Sequence, residues 1–282
     1  MTNKITQEKA KIIDAIEHHL RNNLLHNDTN KLWENTYIKR QIDKRKEKNL
    51  FSVNEHICAM VYSMLSSGVS WNRIAASADI ATGRIKAVDE IFCNYAPQQL
   101  LKCTPEQLRD SLKEIHCASQ YTLKQMNALI SVNIPKLLMI EQEYGIGMID
   151  SYYDNFIQKD KTLIALVKTL SDVASKDKMV QMGIALVCEY LRNVGYDIPK
   201  PDRHIRRILG SDTLAFSSNP TATPYEVFDI ISKLAVELNK SAAEIDYILW
   251  SYCAKDYGEI CTAANPKCEV CKCQKYCNKK GN

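Results

Sequence analysis

Chain-breaking residues are scarce here: nine glycines and eight prolines in 282 residues. So little punctuation argues against a fold of many short strands, and no long stretch alternates polar and apolar residues between turns. Long uninterrupted apolar runs are also missing, which argues against a membrane-spanning helix. The opening segment, MTNKITQEKAKIIDAIEHHL, is polar and charged, unlike a secretory signal. No repeat of fixed period, no long low-complexity tract and no nucleotide or flavin motif stands out. Nor is one charge sign in large excess. The net charge of +4 neither requires nor excludes a nucleic-acid partner. These absences lead us to expect a soluble, cytoplasmic, monomeric protein that does not touch a membrane.

Cysteine, by contrast, is plentiful, with eleven in the chain. Cys58, Cys93, Cys188 and Cys253 fall inside apolar helical patterns, where a free thiol behaves as a small hydrophobe. Cys103 and Cys117 flank a helical stretch. An odd total and no secretory segment fit a reducing compartment better than a disulfide framework. Near the end, Cys261-x6-Cys268-x2-Cys271-x5-Cys277 is a compact four-thiol set. A crowded thiolate loop suits an iron–sulfur cluster. Zinc also takes four cysteines, usually as two separated CxxC pairs, and only Cys268 and Cys271 form such a pair here. A loop without metal is the third reading, and Cys273 is spare on all of them.

Helical signals run through the rest, and an all-α fold is expected. Thr104-Pro105-Glu106-Gln107 reads as a capping threonine, a first-turn proline and a reciprocal glutamine. Thr223-Pro224-Tyr225-Glu226 and Ser241-Ala242-Ala243-Glu244 repeat the device. Leu108, Leu112 and Ile115 share one face of their helix, as do Ile245, Ile248, Leu249 and Tyr252 of theirs. Further helices are expected near 5–25, 54–66, 70–76, 83–94, 119–130, 133–145, 160–172, 183–193 and 203–209. The segment MGIALVCEYL is apolar on most sides and belongs at the centre of a core. Lys39, Arg40, Lys44, Arg45, Lys46 and Lys48 form a basic run that reads either as a solvated helix face or as a phosphate-neutralising one.

Upstream of the cysteines lies GYDIPKPDRHIRRILG, residues 195–210. Pro201 disfavours helix at Lys200, so the following helix starts at Asp202, a favoured N-cap. Taken alone, that carboxylate is a cap. Its context suggests more: an apolar helix, a glycine turn at Gly195, Asp202 seven residues later, and then a cysteine loop. This order, the 6-2-5 cysteine spacing with Pro266, and DYILWSYCAKDYGEIC leading into Cys261 resemble the endonuclease III branch of the helix–hairpin–helix DNA glycosylases. The likeness is good over residues 180–277. It is weaker over 50–130, where FSVNEHICAMVYSMLSSG and TPEQLRDSLKEI carry it, and residues 1–50 and 131–175 have no counterpart.

The resemblance implies a two-lobed helical fold. Residues 51–195 would form a helical barrel with a degenerate hairpin, 196–282 the C-terminal helices and a [4Fe-4S] loop, and 1–50 N-terminal helices partly packed on the cluster lobe. It implies a partner, double-stranded DNA carrying a modified or mispaired base, and a cluster on Cys261, Cys268, Cys271 and Cys277. Such enzymes extrude the base before cutting its bond to the sugar. Asp202 would then be the catalytic carboxylate that stabilises charge on the sugar. Bifunctional relatives use a lysine just after the second hairpin glycine. In KMVQMGIA only Gly183 remains of the glycine pair, Ile184 and Ala185 follow it, and Lys178 comes too early. A monofunctional N-glycosylase is therefore expected. Gly183, Lys178, Arg206 and Lys267 are the candidate phosphate contacts, although Lys267 reads equally as a solvated residue. A DNA-binding relative without catalysis and a redox cluster protein are the rival readings.

Overall fold

In a computed structural model the chain is all-helical, and residues 2–25, 28–69, 74, 78–79, 81–160 and 162–279 are described. The one β feature among them is an isolated bridge between Ala78 and Ile85. No helix among the described residues is long and apolar enough to cross a membrane. The chain divides into two compact units, Arg40–Tyr196 and the pair of segments Met1–Lys39 and Asp197–Asn282. Residues 40–50, grouped with the N-terminal helices on sequence, thus belong to the middle unit.

The middle unit is built around Ile184–Asn193 packed on Val53–Leu65. Val187, Cys188, Tyr190 and Leu191 are fully buried there, as the apolar wrap of that segment predicts. Ser52 starts Val53–Leu65 with a reciprocal Ser52–Glu55 capping box. Gly195 turns the chain after the central helix at φ +81, and a Cβ there would sit 2.4 Å from Gln41 O. Both the backbone and the neighbour require glycine at this position.

A buried carboxylate secures the same unit. Asp150 is fully buried and accepts from Phe51 N at 2.8 Å, with the Arg45 guanidinium on its other oxygen. His56 Nε2 lies 3.3 Å from it, and His56 Nδ1 is 2.7 Å from the Tyr190 hydroxyl. Burial alone would raise the Asp150 pKa, but His56, Arg45 and the Phe51 N–H together hold it below the usual carboxylate range. Arg45 also donates to Val194 O at 2.7 Å, and Lys44 pairs with Glu55. Two cations of the basic run are therefore engaged within the unit.

Thr122–Ala128 continues through a π-helical turn, Leu129–Asn133, into Ile134–Tyr144. Pro135 explains the widened turn. It has no N–H for the carbonyl four residues back, and its ring crowds that carbonyl. The sequence pattern instead suggests two helices here, near 119–130 and 133–145. It also misses Ile149–Asp160 as a separate helix before Leu163–Ser171. The helix expected at 83–94 is only Lys86–Ile91, because Cys93, Asn94 and Tyr95 turn left-handed at φ +50, +48 and +62. The helix expected near 70–76 lies mostly outside the described residues.

In the second unit, Thr2–His19, Pro224–Leu238 and Ala242–Cys253 pack together with Arg203–Leu209. Ile13, Ile16, Ile205, Ile231, Ile245 and Leu249 are the fully buried centre of this core. Thr223 forms its expected capping box with Glu226 in this unit, as Thr104 does with Gln107 in the other. Ser241 caps through its side chain to Glu244 N.

Candidate functional site

The cysteine loop leaves the helix Ala242–Cys253 and closes back over its own unit. Cys261, Cys271, Cys273 and Cys277 line one small cavity with Ile16, Ile208, Leu214 and Tyr252. Three of the four ligands expected from the spacing are in that ring. The fourth, Cys268, lies in the short turn Cys268–Val270, half-buried and outside the lining. Cys273, the spare thiol of the sequence reading, is 2% exposed and takes a place in the wall. Among the described residues, no three His, Cys, Asp or Glu side chains are drawn together around a single-ion site. The thiols ring a cavity rather than converge on a point.

Two residues outside the loop donate to these sulfurs. Arg207 reaches Cys261 Sγ at 3.4 Å and Thr262 O at 3.2 Å, and it also bonds Cys261 O. The Tyr252 hydroxyl donates to Cys271 Sγ at 3.4 Å while accepting from Lys272 N at 3.1 Å. The Cys253 thiol and then the Arg207 guanidinium hold Cys261 at a pKa of about 6. Cys271 is held at about 6 by the Cys273 thiol first and by Tyr252 as well. Burial pushes Cys277 up. A ring of thiols in an apolar pocket, with donors aimed at two of the sulfurs, fits a group bound through sulfur. Tyr252 was legible on sequence only as one residue of an apolar stripe. Arg207, one of the pair Arg206 and Arg207 after Asp202, was legible on sequence only as a cation for either a phosphate or an acid of the fold.

Asp202 opens the helix Arg203–Leu209, as the preceding proline predicts. Its Oδ1 accepts from His204 N at 2.8 Å and Ile205 N at 3.1 Å. The approach to it is pinned within the unit: Lys200 N donates to Asp246 Oδ1 at 3.0 Å, and Ala243 N to Asp197 Oδ1 at 2.9 Å. The Asp202 carboxylate is half-buried, and both bonds converge on a single oxygen. His204 is half-buried, and desolvation lowers its pKa, with Asp202 opposing and Arg203, Arg207 and Lys200 reinforcing. Arg206 donates through Nε to Ala222 O at 2.7 Å. Lys267 is exposed, 3.6 Å from Glu259.

The hairpin belongs to the middle unit. Gln181 stands where the first glycine of the pair was expected and takes φ +61 all the same. Gly183 is the N-cap of Ile184–Asn193, without a side-chain cap, and a Cβ there would meet nothing within 4 Å. Ile184 and Ala185 form the first turn of that helix. The Lys178 ammonium donates to Ser171 O at 2.6 Å. Two residues that sequence reasoning passed over hold this turn in place. Asn133 is fully buried and clasps Val180 through both amide atoms, accepting from its N at 2.8 Å and donating to its O at 3.0 Å. Lys136 bridges Lys176 O and Lys178 O at 2.9 and 2.6 Å. A buried asparagine in an otherwise apolar helix was the available signal, and nothing local named its partner. On sequence Tyr152, Tyr153 and Trp71 could stack on bases, with core packing the commoner outcome for such aromatics; Tyr152 and Tyr153 are buried in the core, and Trp71 lies outside the described residues.

No protein-family model matches the sequence, and no curated protein matches it either. Among solved structures, the chain is similar to the crystal structure of Methanocaldococcus jannaschii 8-oxoguanine glycosylase/lyase in complex with 15-mer DNA containing 8-oxoguanine. The TM-score is 0.50 and the identity 18%, over 85% of this chain and 96% of that one. The shared property is the helical fold.

Proposed function

We propose that this protein is a monofunctional DNA N-glycosylase that extrudes and excises an altered or mispaired base from duplex DNA, with Asp202 as its catalytic carboxylate. One observation carries the reading. A carboxylate tethered by two backbone N–H groups at a helix start, seven residues after a glycine turn, occurs on a fold similar to that of a solved glycosylase/lyase. Tethering through Oδ1 fixes the carboxylate in place, which suits a group facing a developing positive charge on deoxyribose. The absence of a lysine at Ile184 and Ala185 supports water, rather than a Schiff base, as the attacking species.

The cysteine cavity supports a [4Fe-4S] cluster, held on the sequence pattern by Cys261, Cys268, Cys271 and Cys277. When bound it would tie a long loop to the helix Ala242–Cys253 and take no part in glycosidic chemistry. Arg207 and Tyr252 would hold two of the sulfurs in position. Gly183 and the uncapped N–H groups of its helix support a phosphate contact, with Arg206, Lys178 and Lys267 contributing positive charge. The Arg206 and Lys178 bonds to carbonyls make these two fixed rather than freely reaching charges.

The test is excision across a panel of lesion and mismatch duplexes, 8-oxoguanine among them, with wild type and Asp202→Asn. Excision by wild type that is lost in Asp202→Asn with duplex binding retained is expected. Binding without excision by wild type on every duplex would instead favour a non-catalytic DNA-binding protein. Borohydride should trap no protein–DNA adduct.

A further inference from the structure

We propose that Cys93 and Cys103 form a redox-responsive thiol pair in the middle unit, closing to an intramolecular disulfide by exchange with a small-molecule disulfide such as glutathione disulfide. The pair lies outside the C-terminal cysteine loop and does not depend on what that loop binds. Of the six cysteines ahead of the loop, Cys58, Cys117, Cys188 and Cys253 are buried, and only Cys93 and Cys103 are partly exposed. Their sulfurs lie close enough for a side-chain hydrogen bond, although the residues are ten positions apart. The backbone between them makes this meeting. Cys93, Asn94 and Tyr95 turn left-handed without a glycine, and Ala96 N donates to Cys93 O at 3.2 Å. The short helix Pro97–Leu100 follows, and a turn closed by Cys103 N on Leu100 O at 3.0 Å ends at the second thiol. That thiol also donates to Gln99 O at 3.6 Å.

Anchors in the core hold the arrangement. Phe92, Tyr95 and Leu100 are fully buried. The Tyr95 hydroxyl donates to Asp89 Oδ1 at 2.6 Å, where Tyr62 of the helix Val53–Leu65 also donates at 2.9 Å, and Arg84 Nε reaches the other oxygen at 2.9 Å. Left-handed non-glycine residues are costly and persist where surrounding contacts over-determine them. Here the turn so held sets Cys93 beside Cys103, partly exposed, where a small disulfide can reach. Burial first, and then the Cys93 sulfur, push the Cys103 thiol up, so the first attack falls to Cys93. As thiolate, Cys93 attacks the small disulfide, forms a mixed disulfide and releases one thiolate. Cys103 then attacks the Cys93 sulfur, forming the Cys93–Cys103 bond and releasing the other thiolate. The two protein thiol protons end on the two released thiols. The protein loses two electrons and the small disulfide gains them.

The experiment treats folded full-length protein anaerobically with glutathione disulfide, blocks remaining thiols with N-ethylmaleimide and maps the products by non-reducing tryptic digestion and mass spectrometry. Cleavage after Lys102 leaves Cys93 and Cys103 on separate peptides, so only a disulfide joins them. Wild type and Cys103→Ser are compared, with far-UV circular dichroism confirming the helical fold of each. In wild type the joined peptides should account for at least about half the chains, outnumber any pairing of either cysteine with another, and separate on reduction with dithiothreitol. Cys103→Ser should stop at the intermediate, with glutathione retained on Cys93. Folded wild type in which Cys93 and Cys103 stay as thiols would overturn the proposal. So would glutathione retained on both cysteines without the joined pair, or pairing of either mainly with a cysteine elsewhere in the chain. None of these readouts uses excision activity or the C-terminal cysteines, so the outcome stands apart from the proposed glycosylase function.

Discussion

Asp202 carries two roles that substitution can separate. As an N-cap it accepts from His204 N and Ile205 N, and asparagine caps about as well as aspartate. Asp202→Asn keeps an oxygen for those two donors and loses only the charge–dipole attraction, worth about 0.3–1 kcal/mol. Asp202→Ala strands both N–H groups at the start of a seven-residue helix and should cost about 1–2 kcal/mol. In thermal unfolding that is roughly 2–4 °C, with the asparagine variant nearer wild type. Excision should order differently. Both variants remove the negative charge, and loss of a preorganised electrostatic group lowers a chemical step by roughly 10²–10³-fold. Single-turnover excision on the best duplex of the panel, with unfolding midpoints measured on the same preparations, tests the pair. The expected pattern is two near-inactive proteins of which only the alanine variant is clearly less stable. Wild-type excision by Asp202→Asn would refute the catalytic role, and wild-type stability of Asp202→Ala would refute the cap.

Gly195→Ala combines a left-handed φ with a Cβ 2.4 Å from Gln41 O, and should cost about 3 kcal/mol or more in urea unfolding. Little or no loss would mean that the turn relaxes. Asn133→Ala leaves the Val180 N–H and carbonyl without their partner and should cost about 2 kcal/mol, with faster hydrogen exchange at Val180 and Gln181. Unchanged exchange would show that the hairpin holds itself. Asp150 has a folded pKa below its unfolded value, so its stabilisation is present above about pH 4 and is lost as pH falls through the lower, folded pKa. Asp150→Asn should therefore be much less stable at pH 7 and lose less on acidification; a parallel pH dependence of the two proteins would count against it.

Helix starts were readable because a cap is a local device. Thr104, Thr223, Ser241 and Asp202 each bond a backbone N–H two or three residues ahead, so the whole interaction fits in a short window. Core faces were readable for a similar reason, since helical period alone groups Ile245, Ile248, Leu249 and Tyr252. Boundaries went wrong where a local signal admitted two geometries. Pro135 widens a continuous helix to a π turn instead of ending it, and the left-handed turn at Cys93–Tyr95 uses no glycine.

The sequence by itself determined the all-helical class, most of the capped starts, the carboxylate at the head of its helix and the crowding of five cysteines into one loop. These depend on residue types and spacings a few positions apart. Only the tertiary structure decided that Cys273 rather than Cys268 faces the cavity, that Arg207 and Tyr252 donate to its sulfurs, that Asn133 clasps the hairpin and that Arg45 neutralises a buried Asp150. The Asn133, Arg207 and Arg45 pairs join residues 47, 54 and 105 positions apart. At such separations the partner is set by how helices pack, and neither propensity nor local spacing carries that information.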